Sequence, residues 1–224
     1  MTILPIIAVL LSSSVQGASA RQPREIPLDV HEFGILGESY DPENPGKQER
    51  TYYRTVDEGG LSFIRAVYTP PQSTVTLYHS VPDGLRHGVR RMDWRWRAQV
   101  LPRKGNECVA GLGDSAAAVY ITWKRGMRWY SLKFVWSSEG PAGATCNRIR
   151  NPLVASDSIV LRSGPGNDGW VEESVDPEEL FRRHFTDGDP GNEIPELQGI
   201  GLMTDGDQTR STSSADYAGF VLYK

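Results

Sequence analysis

The sequence is short of several things. It has only two cysteines and four histidines among 224 residues. His31, His79, His87 and His184 show no ligand spacing, and neither they nor Cys108 and Cys146 form the paired set that zinc requires. There is no basic excess: 24 Lys and Arg stand against 28 Asp and Glu, which argues against a partner held by its phosphate backbone. No segment is long and apolar enough to span a bilayer. Strands do not alternate with helices, so a doubly wound parallel sheet is not expected. Only one stretch, Asp176 to Phe185, reads as a helix. Asp176 sits at its N-cap, Pro177 in its first turn, and its acids precede its bases.

The first twenty residues differ from the rest. Ile3 to Leu11 is an apolar run, and Ala18-Ser19-Ala20 has the small-x-small form of a signal-peptidase site, although no Lys or Arg precedes the run. Residues 1–20 are expected to be a secretion signal cleaved after Ala20, placing the chain in the periplasm or outside the cell. No cysteine follows the run, so a lipid anchor is not expected. An oxidising compartment pairs cysteines, so Cys108 and Cys146 are expected to form one disulfide. Closing that loop contributes about 4 kcal/mol on a chain-entropy argument.

What the chain has is alternation. In Arg91 to Leu101, Met92, Trp94, Trp96, Ala98 and Val100 take one parity, and Asp93, Arg95, Arg97 and Gln99 take the other. Side chains along a strand face opposite ways in turn, so this is a half-buried strand whose tryptophans belong to a core. Further strands are expected at Thr51–Val56, Leu61–Tyr68, Val75–Ser80, Val89–Leu101, Ala116–Trp123, Met127–Ser137, Ser158–Ser163, Gly169–Val175, Gln198–Thr204 and Asp216–Lys224. Asp57-Glu-Gly-Gly60 and Lys124-Arg-Gly126 mark tight hairpins. Residues 21–48 form an irregular lead-in with at most one short strand, and 49–224 form one domain. About ten short strands and one helix predict an all-β, two-sheet antiparallel sandwich of jelly-roll type.

The order of motifs is familiar at this point. Asp57-Glu-Gly-Gly-Leu-Ser-Phe-Ile-Arg-Ala66, Met92-Asp-Trp-Arg-Trp-Arg97, Gly113-Asp-Ser-Ala-Ala-Ala-Val-Tyr120, Phe134-Val-Trp-Ser137, Gly169-Trp-Val-Glu-Glu173 and Gly199-Ile-Gly-Leu-Met-Thr-Asp-Gly-Asp-Gln-Thr209 resemble the bacterial family DUF3047. The resemblance runs from about Ile35 to Lys224. It implies an exported domain similar in strand pattern to jelly-roll carbohydrate-binding modules, and it implies no reaction. Where the family often has a second acid after Gly-Asp and a base soon after, this chain has Ser115 and three alanines. No polar role is therefore assigned to that strand start.

Three motifs point to chemistry they do not support. Gly113-Asp114-Ser115 opens like a GDS-type hydrolase, but that mechanism needs a downstream Asp-x-x-His, and position 181, three before His184, is Phe. Gly164-Pro-Gly-Asn-Asp-Gly169 has dinucleotide-fingerprint spacing but leads into strand-like sequence. Glu172 and Glu173 are adjacent in a strand and face opposite ways, so they cannot act as a pair.

Two candidate sites remain. Asp205 and Asp207, in Thr204-Asp-Gly-Asp-Gln-Thr209, could offer hard-oxygen ligands to a structural calcium ion, with a solvated turn as the plainer reading. Thr186-Asp-Gly-Asp-Pro-Gly-Asn-Glu193 repeats the pattern upstream. Trp129 shares its parity with Ser131 and Lys133, so its indole is expected on a polar face, with Tyr120 on the neighbouring strand as a second stacking surface for sugar. No redox or nucleotide cofactor is required and a monomer is the default. The expected function is non-catalytic binding of a glycan or cell-envelope component. The alternatives are a glycan-acting hydrolase or lyase on the same fold and a structural envelope protein without a small ligand.

Overall fold

The computed structural model describes residues 23–37, 51–166, 168–185 and 193–224. The expected signal segment and the Thr186–Asn192 part of the upstream acidic repeat lie outside the described residues. The strands are β1 (Glu25–Pro27), β2 (Gly34–Ile35), β3 (Tyr53–Glu58), β4 (Leu61–Tyr68), β5 (Thr76–Ser80), β6 (Arg91–Val100) and β7 (Ala117–Arg125). They continue with β8 (Arg128–Ser137), β9 (Thr145–Arg150), β10 (Val154–Ser163), β11 (Val171–Val175), β12 (Glu196–Met203) and β13 (Ser213–Tyr223), and one helix, α1 (Pro177–Phe185), precedes β12.

These strands build two sheets. One runs β11-β6-β13-β4-β3 with β1 added on β13, and the other runs β2-β5-β12-β7-β8-β10-β9. The protein is an all-β sandwich of jelly-roll type. Among the described residues its strand pairs are antiparallel with one exception, β8 against β10, which run parallel from Trp129–Val154 to Ser137–Ser163. β9 fills the gap outside β10 and was not legible in the sequence, because Thr145-Cys-Asn-Arg-Ile-Arg150 has no hydrophobic alternation. Its register on β10 slips between Ser156 and Ser158, where Asn147 takes a φ of 50°.

Local sequence explains most of this. Gly59 and Gly60 sit at φ 60° and 79° between Glu58 and Leu61, the left-handed pair a two-residue hairpin turn requires. On β6, Met92, Trp94, Trp96 and Ala98 are all buried, as the parity predicts. Trp94 meets Trp96 edge to face at 5.7 Å between ring centroids and Phe134 of the opposite sheet at 5.6 Å; Trp96 meets Trp136 at 6.0 Å. These tryptophans fill the inter-sheet core and offer no ligand platform.

The helix starts where Asp176 Oδ1 accepts the backbone N–H groups of Glu178 and Glu179, at 2.9 and 3.0 Å. Its buried Phe181 packs on Trp123 and Tyr130, closing one end of the core. The far end of the helix is tied to the seven-stranded sheet by His184 Nδ1 on Asp157 Oδ2, 2.7 Å apart, and by Arg150, which bonds both Asp157 and the His184 carbonyl.

The outward face of the six-stranded sheet is locked by one carboxylate. Asp216, 0% exposed, accepts two bonds from Arg65 at 2.9 Å each, one from Arg97 Nε at 2.7 Å and one from Gln99 at 2.8 Å. Other arginines of that sheet face acids too: Arg91 faces Asp93 at 3.3 Å and Arg95 faces Glu172 at 3.4 Å. Glu173, on the opposite face from Glu172, accepts the Trp96 indole N–H at 3.0 Å and a bond from Arg162.

Candidate functional site

The outward face of the seven-stranded sheet carries the candidate residues, and strand register fixes its rows. Gly34, Tyr78, Gly201, Tyr120, Lys133, Ser158 and Cys146 are successive partners across one row. Gly199, Thr122, Ser131, Ser156 and Ile149 make the next, and Glu196, Lys124, Trp129 and Val154 the one after. Glycine on β12 gives the tyrosines room: a Cβ at Gly199 would lie 2.3 Å from the Tyr78 ring. Tyr78 uses that room to reach Thr122, hydroxyl to hydroxyl, at 2.8 Å.

One end of this face is covered. Cys108 and Cys146 form the expected disulfide, with Cα atoms 4.9 Å apart. The bridge draws the loop 101–116 over the row that holds Lys133. Glu107, beside Cys108, becomes fully buried, and neither carboxylate oxygen makes a hydrogen bond of good geometry, although the Ser115 and Ser137 hydroxyls lie close. Lys133 has the parity of a polar face, as expected, but the loop hides it until only 9% is exposed. Burial works against its charge, while Tyr120, Asp205 and Glu107 hold its ammonium above the usual lysine range. Burial pushes the Glu107 carboxyl up. It also pushes Asp205 up to about 6, with Asp114 and Glu107 adding to the rise and Lys133 and the Ser115 N–H opposing it.

The acidic loop is more enclosed than its sequence implies. Asp114, Asp205 and Asp207 each bring a carboxylate oxygen within 4.8 Å of the others. Asp205 is buried and accepts the Ser115 N–H at 2.7 Å, while Asp207 is exposed. Asp114 accepts the backbone N–H groups of Gln208 at 3.3 Å and Thr209 at 2.6 Å. Its oxygens therefore clamp the loop 204–212 to the start of β7. This corrects the expectation that the strand start has no polar role: Asp114 and Ser115 are both buried and both bind the loop. Calcium takes 6–8 oxygen ligands; three carboxylates are gathered here, with both oxygens of Asp114 already engaged by N–H donors. Sequence reasoning missed Glu107, Asp114 and Lys133. The Gly113-Asp114 pair was in view, but its partners lie some ninety residues away.

At the uncovered end stands Trp129, 41% exposed, with Lys124 Nζ 5.0 Å from its ring centroid. Tyr120 shares its outward face, four residues along the neighbouring strand from Lys124, so the two positions lie about 13 Å apart along the strands. Tyr120 is half-buried and packs with Ala118, Val135, Cys146, Val160 and Met203 in a small second core beneath the covering loop. The structure thus places both sequence-predicted aromatics on one face, one open and one partly roofed.

Residues 41–221 match the family described as "Protein of unknown function (DUF3047)". The chain belongs to DUF3047. No curated protein matches it. Among solved structures it is similar to the xyloglucanase domain of NopAA, a type three effector from Sinorhizobium fredii, in complex with cellobiose. The identity there is 8%, the match covers 93% of this chain and 100% of that one, and the TM-score is 0.45. It is similar to endoglucanase 3 of Trichoderma harzianum, from family GH12, at 8% identity over 92% and 99% of the two chains with a TM-score of 0.40. A low-affinity xylan-binding module from Roseburia intestinalis matches at 7% identity over 90% and 94%, with a TM-score of 0.33. No helix of the described residues is long and apolar enough to cross a membrane.

Proposed function

We propose that this DUF3047 chain is an exported domain that binds a glycan or glycan-bearing envelope component without turning it over. The ligand lies on the outward face of the seven-stranded sheet. The observation that carries the reading is Trp129, an exposed indole on the outward face of the sheet. The hydroxyls of Ser131 and Ser156 continue in the adjacent row, where that of Thr122 is already bonded to Tyr78 and to the Gly199 carbonyl. An aromatic platform beside rows of hydroxyls offers stacking to a sugar ring and hydrogen bonds to its oxygens. Export is supported by the Cys108–Cys146 bridge together with the signal-like first twenty residues.

One observation favours the hydrolase reading. Asp205 keeps its proton up to about pH 6 and stands within 4.8 Å of a second carboxylate, as an acid catalyst would. Burial counts against it: Asp205 is 4% exposed and Asp114 is fully buried, so neither can touch a polymer while the loops 101–116 and 204–212 are in place. Affinity electrophoresis against soluble polysaccharides tests the proposal. Trp129→Ala is expected to weaken retardation by about tenfold or more with an unchanged melting curve. Sustained product release by the pure protein, abolished by Asp205→Asn, would replace binding with catalysis.

A further inference from the structure

The loop over the Lys133 row is pinned at its ends and loose between them. The Gly105 carbonyl accepts the Glu139 N–H at 2.9 Å and the Ser137 hydroxyl at 3.1 Å, and the Gly113 N–H donates to Gln208 Oε1 at 2.9 Å. From Asn106 to Leu112 the backbone bonds stay inside the segment. The Asn106 N–H donates to the Leu112 carbonyl at 2.6 Å, that of Val109 to the Asn106 carbonyl at 3.0 Å, and that of Leu112 to the Val109 carbonyl at 3.1 Å. The Cys108 N–H donates to the Asn106 side chain at 3.0 Å. Among the described residues no backbone hydrogen bond joins 106–112 to a strand. Two side chains attach it instead: Cys108, through its bridge to Cys146, and Glu107, through its buried carboxylate. These two pull in different directions. A carboxylate buried without well-formed hydrogen bonds gains hydration by leaving, and both Glu107 oxygens are so placed. Attraction to Lys133 opposes that gain. Cys108, Val109, Ala110 and Gly111 are exposed, so the tip has little apolar surface to hold it down.

We propose that residues 106–112 are a lid locked by the Cys108–Cys146 bridge, and that cutting the bridge uncovers a second subsite, built on Tyr120 and Lys133, for the ligand that meets Trp129. This rests on the glycan-binding reading above and adds a redox control of the same face. Tyr120 and Trp129 point outward from one sheet, about 13 Å apart along the strands. Opening adds to the exposed indole a phenol ring for stacking and an ammonium that donates to sugar oxygens. The agent is a dithiol. Its first thiolate attacks the sulfur of Cys108, the exposed half of the bridge, and Cys146 leaves as a thiolate and takes up a proton. Its second thiolate attacks the mixed disulfide and releases Cys108, which is protonated in turn. The reductant ends as a disulfide and the protein as two thiols.

The test compares the full chain with the double variant Cys108→Ser, Cys146→Ser, which lacks the bridge without a reductant present. The first readout is acetylation by N-hydroxysuccinimide acetate, located on each lysine by peptide mass. In the bridged protein Lys133 should react at least about tenfold more slowly than Lys124. In the double variant that protection should be lost while the buried tryptophans keep their fluorescence. Dithiothreitol on the wild type should reproduce the change. A Lys133 that stays protected without the bridge would overturn the lid. So would loss of the tryptophan signal, since the bridge would then brace the whole sandwich. The second readout is affinity electrophoresis in soluble xylan, mixed-linkage β-glucan and polygalacturonate. At least one polymer should bind the double variant about threefold or more tighter than the bridged protein, and Tyr120→Leu in the double variant should cut that gain. Equal retardation of both forms, dependent on Trp129, would overturn the second subsite and leave the glycan reading standing. No retardation in any gel would overturn the subsite and the glycan reading together, while lysine acetylation would still decide the lid.

Discussion

Asp216 and Asp205 are both withdrawn from water, one on a strand of the six-stranded sheet and one in the loop that follows β12, and they are held in opposite ways. Asp216 has Arg65, Arg97 and Gln99 around it, each within 2.9 Å. Asp205 has one backbone N–H, a lysine near enough to act on it through space, and two further carboxylates that oppose its ionisation. Strand neighbours, set by register, made the first environment: Arg65 and Arg97 are the cross-strand partners of Asp216. Two loops and a disulfide made the second. A buried acid supplied by a sheet arrives with its counterions beside it, whereas one buried by loops meets whatever those loops bring.

Breaking the well-paired site should have the largest effect. Asp216→Ala leaves two part-buried guanidinium groups facing each other and is expected to cost about 3–5 kcal/mol, read from urea unfolding. A loss below about 1 kcal/mol would mean the cluster is solvated in practice.

The under-paired site should show itself through pH. The folded Asp205 carboxyl holds its proton up to about 6, while an unfolded aspartate releases it near 3.8. Between those values the folded state binds more protons, so this group's contribution falls as pH rises through the window and levels off above it. The fall is on the order of 2–3 kcal/mol. Between pH 4 and pH 7 stability should therefore fall by more, or rise by less, in the wild type than in Asp205→Asn, and an equal change in both would refute the assignment.

A smaller effect is expected from Glu107→Gln. Removing this charge loses attraction to Lys133 but also removes the cost of burying a carboxylate without well-formed hydrogen bonds, so stability should change by less than about 1 kcal/mol. Smallest of all is the response to a chelator. With both oxygens of Asp114 clamping the 204–212 loop, excess EDTA is expected to leave the melting temperature within about 1 °C, whereas a clear fall would show that Asp205 and Asp207 hold calcium.

The same contrast marks what could be read in advance. Trp94 and Trp96 in the core, the Gly59-Gly60 hairpin, the Asp176 cap and the outward parity of Trp129 are local properties, fixed by period and turn chemistry within a few residues. Parity set Trp129 on the polar face of its strand, with Tyr120 named only as a neighbour on the next strand, and the disulfide followed from the expected export and from there being only two cysteines. Lys133 shows the limit. Its parity was right, but its burial depends on a loop anchored by Cys108 to Cys146, thirty-eight residues away. Asp114 depends on N–H groups at Gln208 and Thr209, and no pattern near Asp114 signals them. β9 was missed because an edge strand held by backbone pairing needs no hydrophobic alternation.

The irregular register of β9 bears on how copies of the chain meet one another. β9 ends the seven-stranded sheet, and a regular exposed edge would present a ladder of free N–H and C=O groups for another molecule's strand to extend into a fibre. Here the ladder is interrupted at Asn147, and Arg148 and Arg150 follow directly after it, so an incoming second copy would meet mismatched spacing and like charge. The kink and its two arginines act as an end-stop for the sheet, a safeguard against aggregation written into the least regular strand of the fold.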